Sequence, residues 1–367
     1  LQDRREYNNQ QEWTIRRIGN SLFYAVINNY SSMAIGPAAT GNGLVQKTAQ
    51  AINSQIWKLV YNKDSDAYTF VNRSNNKLLT LEGNNDIIGT NITLDTAKTA
   101  AVLFKFSPAK SYHLENVDVP SPSMSKTIPA SIILPDNYGD GRRYPVIYVL
   151  HGYGGSHTSY LELAPRIRNL ADAYQVILVF PDGDVSWYLN SVNDPDKKWM
   201  YETFISSELI TYVDSHYKTI NTRSGRAILG QSMGGQGAFY NAFKHPDLYV
   251  AAGSMSGVMS LSVLPGGYNL EDRMGGPNSG ATAINWQNNS VINLAKLLTP
   301  ENAPALYFDC GKQDDLLPLN NWLDETLKER RIPHTYFTRE GIHSWYYWND
   351  ALPLQFAFLM SYVEAAK

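Results

Sequence analysis

Gly230-Gln231-Ser232-Met233-Gly234 sets a serine among small residues at the joint between two elements. Before it, Arg226-Ala227-Ile228-Leu229 reads as a short buried strand; after it, Gly235 to Lys244 reads as a helix stopped by Pro246. A strand, a sharp turn and a helix in that order hold a serine hydroxyl exposed on a strained backbone, able to attack a carbonyl. The flanking glycines let strand and helix approach closely. The pentapeptide by itself is a common pattern, so its meaning depends on partners elsewhere in the chain.

Those partners follow in order. Ala305 to Gly311 reads as a buried strand, and the loop Lys312-Gln313-Asp314-Asp315 can deliver a carboxylate at its carboxyl end. Thr335-Tyr336-Phe337 reads as the next strand, with Gly341-Ile342-His343-Ser344-Trp345 as the loop beyond it. Serine, then acid, then histidine is the chain order of α/β-hydrolases and differs from that of the chymotrypsin and subtilisin folds. Each residue falls where a parallel strand gives way to a loop, the edge at which open α/β sheets build their sites.

A fourth element precedes them. Pro145 to Leu150 is a continuous apolar run of the buried-strand kind that empties into His151-Gly152-Tyr153-Gly154-Gly155. Such a glycine-rich loop can aim backbone N–H groups at a tetrahedral oxyanion. The expected donors are the amides of Tyr153 and of Met233, the residue after the serine. His151 is expected to brace the loop rather than to take part in the chemistry.

Together, Val149 to Gly155, Trp187-Tyr188, Tyr201 to Ile205, Gly230 to Gly235, Asp309-Cys310-Gly311 with Asp314, and Gly341 to Trp345 resemble the esterase D-like family. That family includes S-formylglutathione hydrolases, mycolyltransferases, and the feruloyl and acetyl xylan esterases of carbohydrate esterase family one. The resemblance covers roughly residues 112 to 367. It implies that the acid lies three residues after the glycine of the D-x-G turn, which is Asp314, although a second aspartate, Asp315, stands where the family has an aromatic or apolar residue.

The remaining elements fit a doubly wound, mainly parallel sheet of the α/β-hydrolase type. Val176 to Phe180 reads as a buried strand, while Tyr201 to Tyr217, Leu319 to Arg330 and Leu354 to Ala366 carry apolar residues at helical spacing. Between Val258 and Thr299 the pattern fades into Gly, Asn and Ser, as expected for a lid or pocket wall. Trp187, Tyr188 and Trp345 are candidate substrate contacts, in an aromatic group that also holds Tyr346, Tyr347 and Trp348.

The amino-terminal third is of another kind. From Trp13 to about Pro108 short alternating runs are broken by clusters such as Gly41-Asn42-Gly43 and Gly83-Asn84-Asn85, as in a small all-β unit. Ala25 to Asn28 corresponds to Thr69 to Asn72, and Gln55 to Leu59 to Val102 to Phe106, a period of about 45 residues. Gln55-Ile56-Trp57 resembles the Q-x-W element of ricin-type β-trefoil lectins, with a third repeat to be assembled from the segment that begins with Trp13-Thr14-Ile15. The sugar-binding aspartate of that family is missing from the matching stretches, Met33 to Gly36 and Leu78 to Leu81. The expected organisation is a lectin-like domain over 1–110 and an esterase domain over 111–367, with the boundary near Ala109 to Ser111.

Composition narrows the partners. Lys+Arg 31 against Asp+Glu 34 gives a net charge of −3 with no long run of either sign, so nucleic acid and anionic membranes are not expected partners. The single cysteine, Cys310, lies in an expected buried strand and reads as a small core residue. No apolar stretch approaches the ~18 residues that span a bilayer. Leu1 to Arg5 has no signal-peptide core behind it, and the missing initiator methionine points to a processed or truncated amino terminus. The other histidines, among them His113, His157, His216, His245 and His334, lack a strand-end setting, and no metal or cofactor is expected.

The expected function is a secreted or periplasmic serine esterase acting on feruloyl or acetyl esters of a plant polysaccharide such as arabinoxylan. Ser232, Asp314 and His343 would form its triad. The alternatives are a small-molecule ester or thioester hydrolase of the S-formylglutathione type and a carbohydrate-binding protein with an inactive esterase fold. The pattern sets no oligomeric state.

Overall fold

The computed structural model describes residues 113–366 except 165 and 265–266, and in the amino-terminal third 13–17, 23–28, 33–39, 44–48, 53–63, 67–81 and 92–95. The chain divides into two units, Leu1–Ser111 and Tyr112–Lys367.

Apart from a 3₁₀ turn at Asn53–Gln55, the described elements of the first unit are β-strands. β1 (Trp13–Arg17), β2 (Phe23–Asn28), β3 (Met33–Pro37), β4 (Leu44–Thr48), β5 (Ile56–Asn62), β6 (Ala67–Asn72), β7 (Leu78–Leu81) and β8 (Ile92–Asp95) pair antiparallel in the order β4-β3-β2-β5-β6-β7-β8, with β1 on β2. Its core gathers Val26, Trp57, Phe70 and Leu79. The tryptophan of the Q-x-W element is fully buried and donates its indole N–H to the Ile35 carbonyl at 3.1 Å. Buried Asn72 donates to the Ser54 carbonyl at 2.9 Å and accepts from the Ser74 amide, so it closes the β6–β7 turn. The repeated stretches 25–28 and 69–72 fall on β2 and β6. The expected strand 102–106, the clusters 41–43 and 83–85, and the boundary at 109–111 lie outside the described residues.

The second unit is an α/β sheet. β9 (His113–Ser121), β10 (Lys126–Leu134), β11 (Val146–Leu150), β12 (Ile177–Pro181), β13 (Arg226–Gln231), β14 (Ala251–Met255), β15 (Ala305–Gly311) and β16 (His334–Arg339) lie in the order β16-β15-β14-β13-β11-β12-β10-β9. β11 to β16 run parallel; β10 is antiparallel to its neighbour β12, and β9 at the edge is antiparallel to β10. The central strands β11 to β14 are buried along their whole length, as parallel strands covered on both faces must be. The pleat divides them between two cores: Val146, Tyr148 and Leu150 join one, Ile147 and Val149 the other.

The helices are α1 (Ser159–Leu163), α2 (Ile167–Tyr174), α3 (Tyr201–Thr203), α4 (Leu209–His216), α5 (Met233–Lys244), α6 (Leu270–Met274), α7 (Ala283–Asn288), α8 (Val291–Ala295), α9 (Leu317–Glu329) and α10 (Trp345–Tyr362). A π-helical turn, Phe204–Glu208, joins α3 to α4, so the expected helix from Tyr201 runs nearly unbroken to His216. α5 packs into one core through Phe239 and Ala242, and α10 into the other through Leu352 and Phe356. α10 starts nine residues before the expected Leu354. Ser344 caps it by accepting from the Tyr347 amide, and Pro353, a boundary signal in the sequence, sits inside the helix, where buried Tyr347, Trp348 and Leu352 outweigh one lost N–H bond.

Candidate active site

Ser232 leaves β13 with φ 55° and ψ −120°, a conformation that non-glycine residues rarely adopt and that persists only when its surroundings dictate it. Its amide donates to the Met255 carbonyl at 3.0 Å, and its carbonyl accepts from Gln236 in the first turn of α5. Two glycines allow the fold to be this tight. A Cβ on Gly230 would overlap the Gly234 carbonyl, and one on Gly234 would overlap the Leu150 carbonyl at the end of β11.

His343 lies between β16 and α10, its side chain one-third exposed. Its Nε2 stands 2.9 Å from Ser232 Oγ and its Nδ1 2.9 Å from Asp314 Oδ2. The Trp348 ring stands nearly perpendicular to the imidazole, with ring centroids 4.8 Å apart. The loops that carry acid and histidine are tied together. Lys312 and Gln313 donate their amides to the Arg339 and Gly341 carbonyls at 2.9 and 3.0 Å, and the Gln313 side chain accepts from the Gly341 amide at 2.7 Å.

Asp314 has a fully buried side chain whose other oxygen accepts from the Leu316 amide at 2.9 Å. Burial alone would raise its pKa; the hydrogen bond and charge of His343 and the Leu316 amide outweigh that and hold the carboxyl below the usual carboxylate range. The carboxylate on the imidazole is therefore that of Asp314. Asp315 is exposed at the cavity rim.

The glycine loop runs directly against the serine turn: a Cβ on Gly152 would come within 3.3 Å of the Ser232 Cβ. Tyr153 lines the same cavity. Met233 opens α5, so its N–H is one of the first-turn donors that lack an intrahelical acceptor. Buried His151 accepts from the Gly183 amide at Nε2, 2.7 Å away, and its Nδ1 lies 2.8 Å from the Gly152 carbonyl. It thereby ties the loop after β11 to the turn after β12.

The cavity at this sheet edge measures 390 Å³. Ser232, His343 and Asp314 border it together with the rings of Trp187, Trp345, Trp348, Tyr153 and Tyr268. Tyr188 is a correction. It is fully buried with its hydroxyl on the His151 carbonyl at 2.9 Å, in space that Gly183 and Gly237 leave free, and it does not line the cavity. Tyr347 is likewise buried under the loop, against Gly341. From the segment 258–299, Val258, Leu264 and Tyr268 form part of the wall; no motif marks them in the sequence. Cys310 is buried and its thiol pKa is pushed up by that burial, as for a core residue. His157, His245 and His334 pair with Asp182, Glu202 and Asp324, away from the cavity. Among the described residues no helix is long and apolar enough to cross a membrane.

Residues 121–359 match the family model described as "Putative esterase". The chain belongs to this esterase family. Residues 9–95 match the model described as "Ricin-type beta-trefoil lectin domain-like". An acetyl esterase of Caldicellulosiruptor saccharolyticus is 27% identical over 230 residues, which is 60% of this chain and 85% of that protein. A ferulic acid esterase structure superposes with a TM-score of 0.57 at 24% identity, covering 68% of this chain and 98% of its own. S-formylglutathione hydrolase from Staphylococcus aureus does so with a TM-score of 0.58 at 22% identity, again over 68% and 98%. At such identities the structural likeness is one of fold. The family and its esterase relatives make this esterase a carboxylic ester hydrolase.

Proposed function

We propose that the esterase cleaves feruloyl or acetyl esters carried on a plant cell-wall polysaccharide, outside the cytoplasm, through an acyl-enzyme on Ser232. The observation that carries the proposal is the 2.9 Å contact of His343 with both Ser232 and Asp314, at the end of a cavity walled by indole and phenol rings. His343 Nε2 takes the Ser232 proton as Oγ attacks the ester carbonyl carbon. The buried Asp314 carboxylate holds the imidazole in the tautomer that leaves Nε2 free and stabilises the imidazolium. The amides of Tyr153 and Met233 receive the oxyanion. The imidazolium then protonates the departing alcohol, and a water deprotonated by the same nitrogen attacks the acyl-enzyme and releases the acid.

Aromatic walls suit a flat hydroxycinnamoyl group or a sugar ring. The lectin-like unit supports a polysaccharide over a small cytosolic ester, because an appended domain of that kind suits an enzyme of insoluble polysaccharide. The likeness to an S-formylglutathione hydrolase supports a second reading, a hydrolase of small thioesters on the same triad. Methyl ferulate, acetylated xylan and S-formylglutathione, assayed side by side, test the proposal. Higher kcat/KM on either of the first two than on the thioester is expected; preference for the thioester would replace it with the second reading.

A further inference from the structure

Three segments that leave the sheet after different strands meet at one rim of the cavity. Tyr153 comes from the loop after β11, Trp187 from the segment after β12, and Tyr268 with Asn269 from the segment after β14. The Tyr153 hydroxyl donates to Asn269 Oδ1 at 2.7 Å, and the Trp187 indole N–H donates to the Tyr268 carbonyl at 2.8 Å. The Tyr153 ring meets Tyr268 edge-on at 5.2 Å and tilts toward Trp187 at 6.3 Å.

The backbone here is held in disfavoured shapes. Trp187, Tyr268 and Asn269 have φ of 59°, 53° and 56°, in the left-handed region that bulky side chains avoid. Such conformations survive where neighbours over-determine them. Burial accounts for Trp187, which is 2% exposed, but Tyr153 and Tyr268 are 40% and 50% exposed, and burial of apolar area does not account for their arrangement. The two hydrogen bonds do: one fixes the Tyr268 carbonyl, the other the Asn269 side chain that precedes α6.

The oxyanion loop needs such a fixture. On its inner side it is held by His151 and by the Gly155 amide on the Gly152 carbonyl at 3.0 Å. On its outer side Gly154, at φ 72°, stands in open space. The Tyr153 side chain ties that outer side to the segment after β14, through Asn269.

We propose that Asn269 and Trp187 are positioning residues for the oxyanion loop: their hydrogen bonds clamp the Tyr153 side chain and the Tyr268 turn, and so fix the Tyr153 N–H against Ser232. This rests on the esterase reading, in which that amide stabilises the tetrahedral intermediate. A donor displaced by about 1 Å can cost on the order of 10²-fold in rate, and deleting one outright about 10² to 10³-fold. Freeing one end of the clamp loosens the donor without removing it, so a loss of about tenfold is expected. Because the amide acts only on the tetrahedral species, the loss falls on kcat and leaves KM nearly unchanged.

The test uses the full chain with Tyr153→Phe, Asn269→Ala and the double variant. p-Nitrophenyl acetate turnover is normalised to sites titrated by a p-nitrophenyl phosphonate, which removes any loss due to misfolding. Each single variant is expected to lose about tenfold in kcat per titrated site, with KM changed by less than about twofold. The double is expected to be no worse than the poorer single, since both break one bond. Trp187→Phe, which keeps a ring and deletes the N–H, gives an independent reading of the second bond and is expected to lower kcat in the same way. Unchanged kcat per titrated site in the single variants, or losses that multiply in the double, would overturn the clamp. A wild-type protein that neither hydrolyses the acetate nor takes up the phosphonate would overturn the esterase reading, and the clamp with it.

Discussion

His343 Nε2 lies 2.9 Å from Ser232 Oγ although 111 residues separate them along the chain. The sheet order produces the contact. β13, β14, β15 and β16 are successive parallel neighbours, so the loops at their carboxyl ends open on one edge. Gly311 and Gly341 bring the last two loops together, since a Cβ on Gly311 would overlap the Gly341 carbonyl. The histidine is thus delivered to the serine by backbone packing.

The two adjacent aspartates are predicted to behave differently. Asp314→Asn should lower kcat about 10³ to 10⁴-fold by favouring the wrong imidazole tautomer. Asp315→Asn should change it less than about threefold, because the His343 imidazole is held by Asp314 and not by this exposed side chain. Steady-state kinetics on a soluble ester measure both, and the reverse ranking would move the orienting role to Asp315.

Asp309 should make stability fall as pH rises. It is buried on β15 with Oδ2 accepting from the Gln355 side-chain Nε2 at 2.7 Å, and burial lifts its pKa to about 6 against the opposing charge of Arg339. An unfolded aspartate titrates near ~4, so the folded state binds this proton more tightly. The group's full contribution is present below about pH 4 and is lost as pH climbs through 6. Asp309→Asn, which keeps an acceptor and cannot ionise, should therefore gain Tm relative to wild type between pH 4 and pH 7.5. Thermal melts across that range check the sign; a variant that loses ground with rising pH would contradict it.

A protein beginning at Ser111 should retain turnover on methyl ferulate within about threefold, because the residues proposed for the chemistry all lie beyond that point. On insoluble arabinoxylan the loss should exceed that on the soluble ester only if the lectin-like unit binds sugar and so raises local concentration. The missing aspartates in Met33 to Gly36 and Leu78 to Leu81 make a small difference the expected result. Matched assays on the two substrates measure it.

Much of this site can be read along the chain because its chemistry demands fixed residue types at strand ends. Ser232, Asp314 and His343 stand out by order and spacing, and the structure brings them within hydrogen-bond reach of one another. Tyr188 does not, because an aromatic residue on a loop looks the same in sequence whether it lines a cavity or fills a core; the space left by Gly183 and Gly237 decides. The start of α10 is hidden for a related reason, since Pro353 signals a boundary locally while the Ser344 cap and buried aromatics override it. Asn269 is marked by nothing in its neighbourhood. Its partner Tyr153 lies 116 residues away, and only the folded chain shows the pair.

The central claim, an acyl-enzyme on Ser232, is tested most directly by Ser232→Ala assayed on whichever ester the wild type cleaves best, with circular dichroism and Tm recorded on the same sample. Removing one oxygen should leave the fold and Tm near wild type while kcat falls on the order of 10⁶-fold. A folded variant that keeps more than a tenth of wild-type turnover would contradict the account.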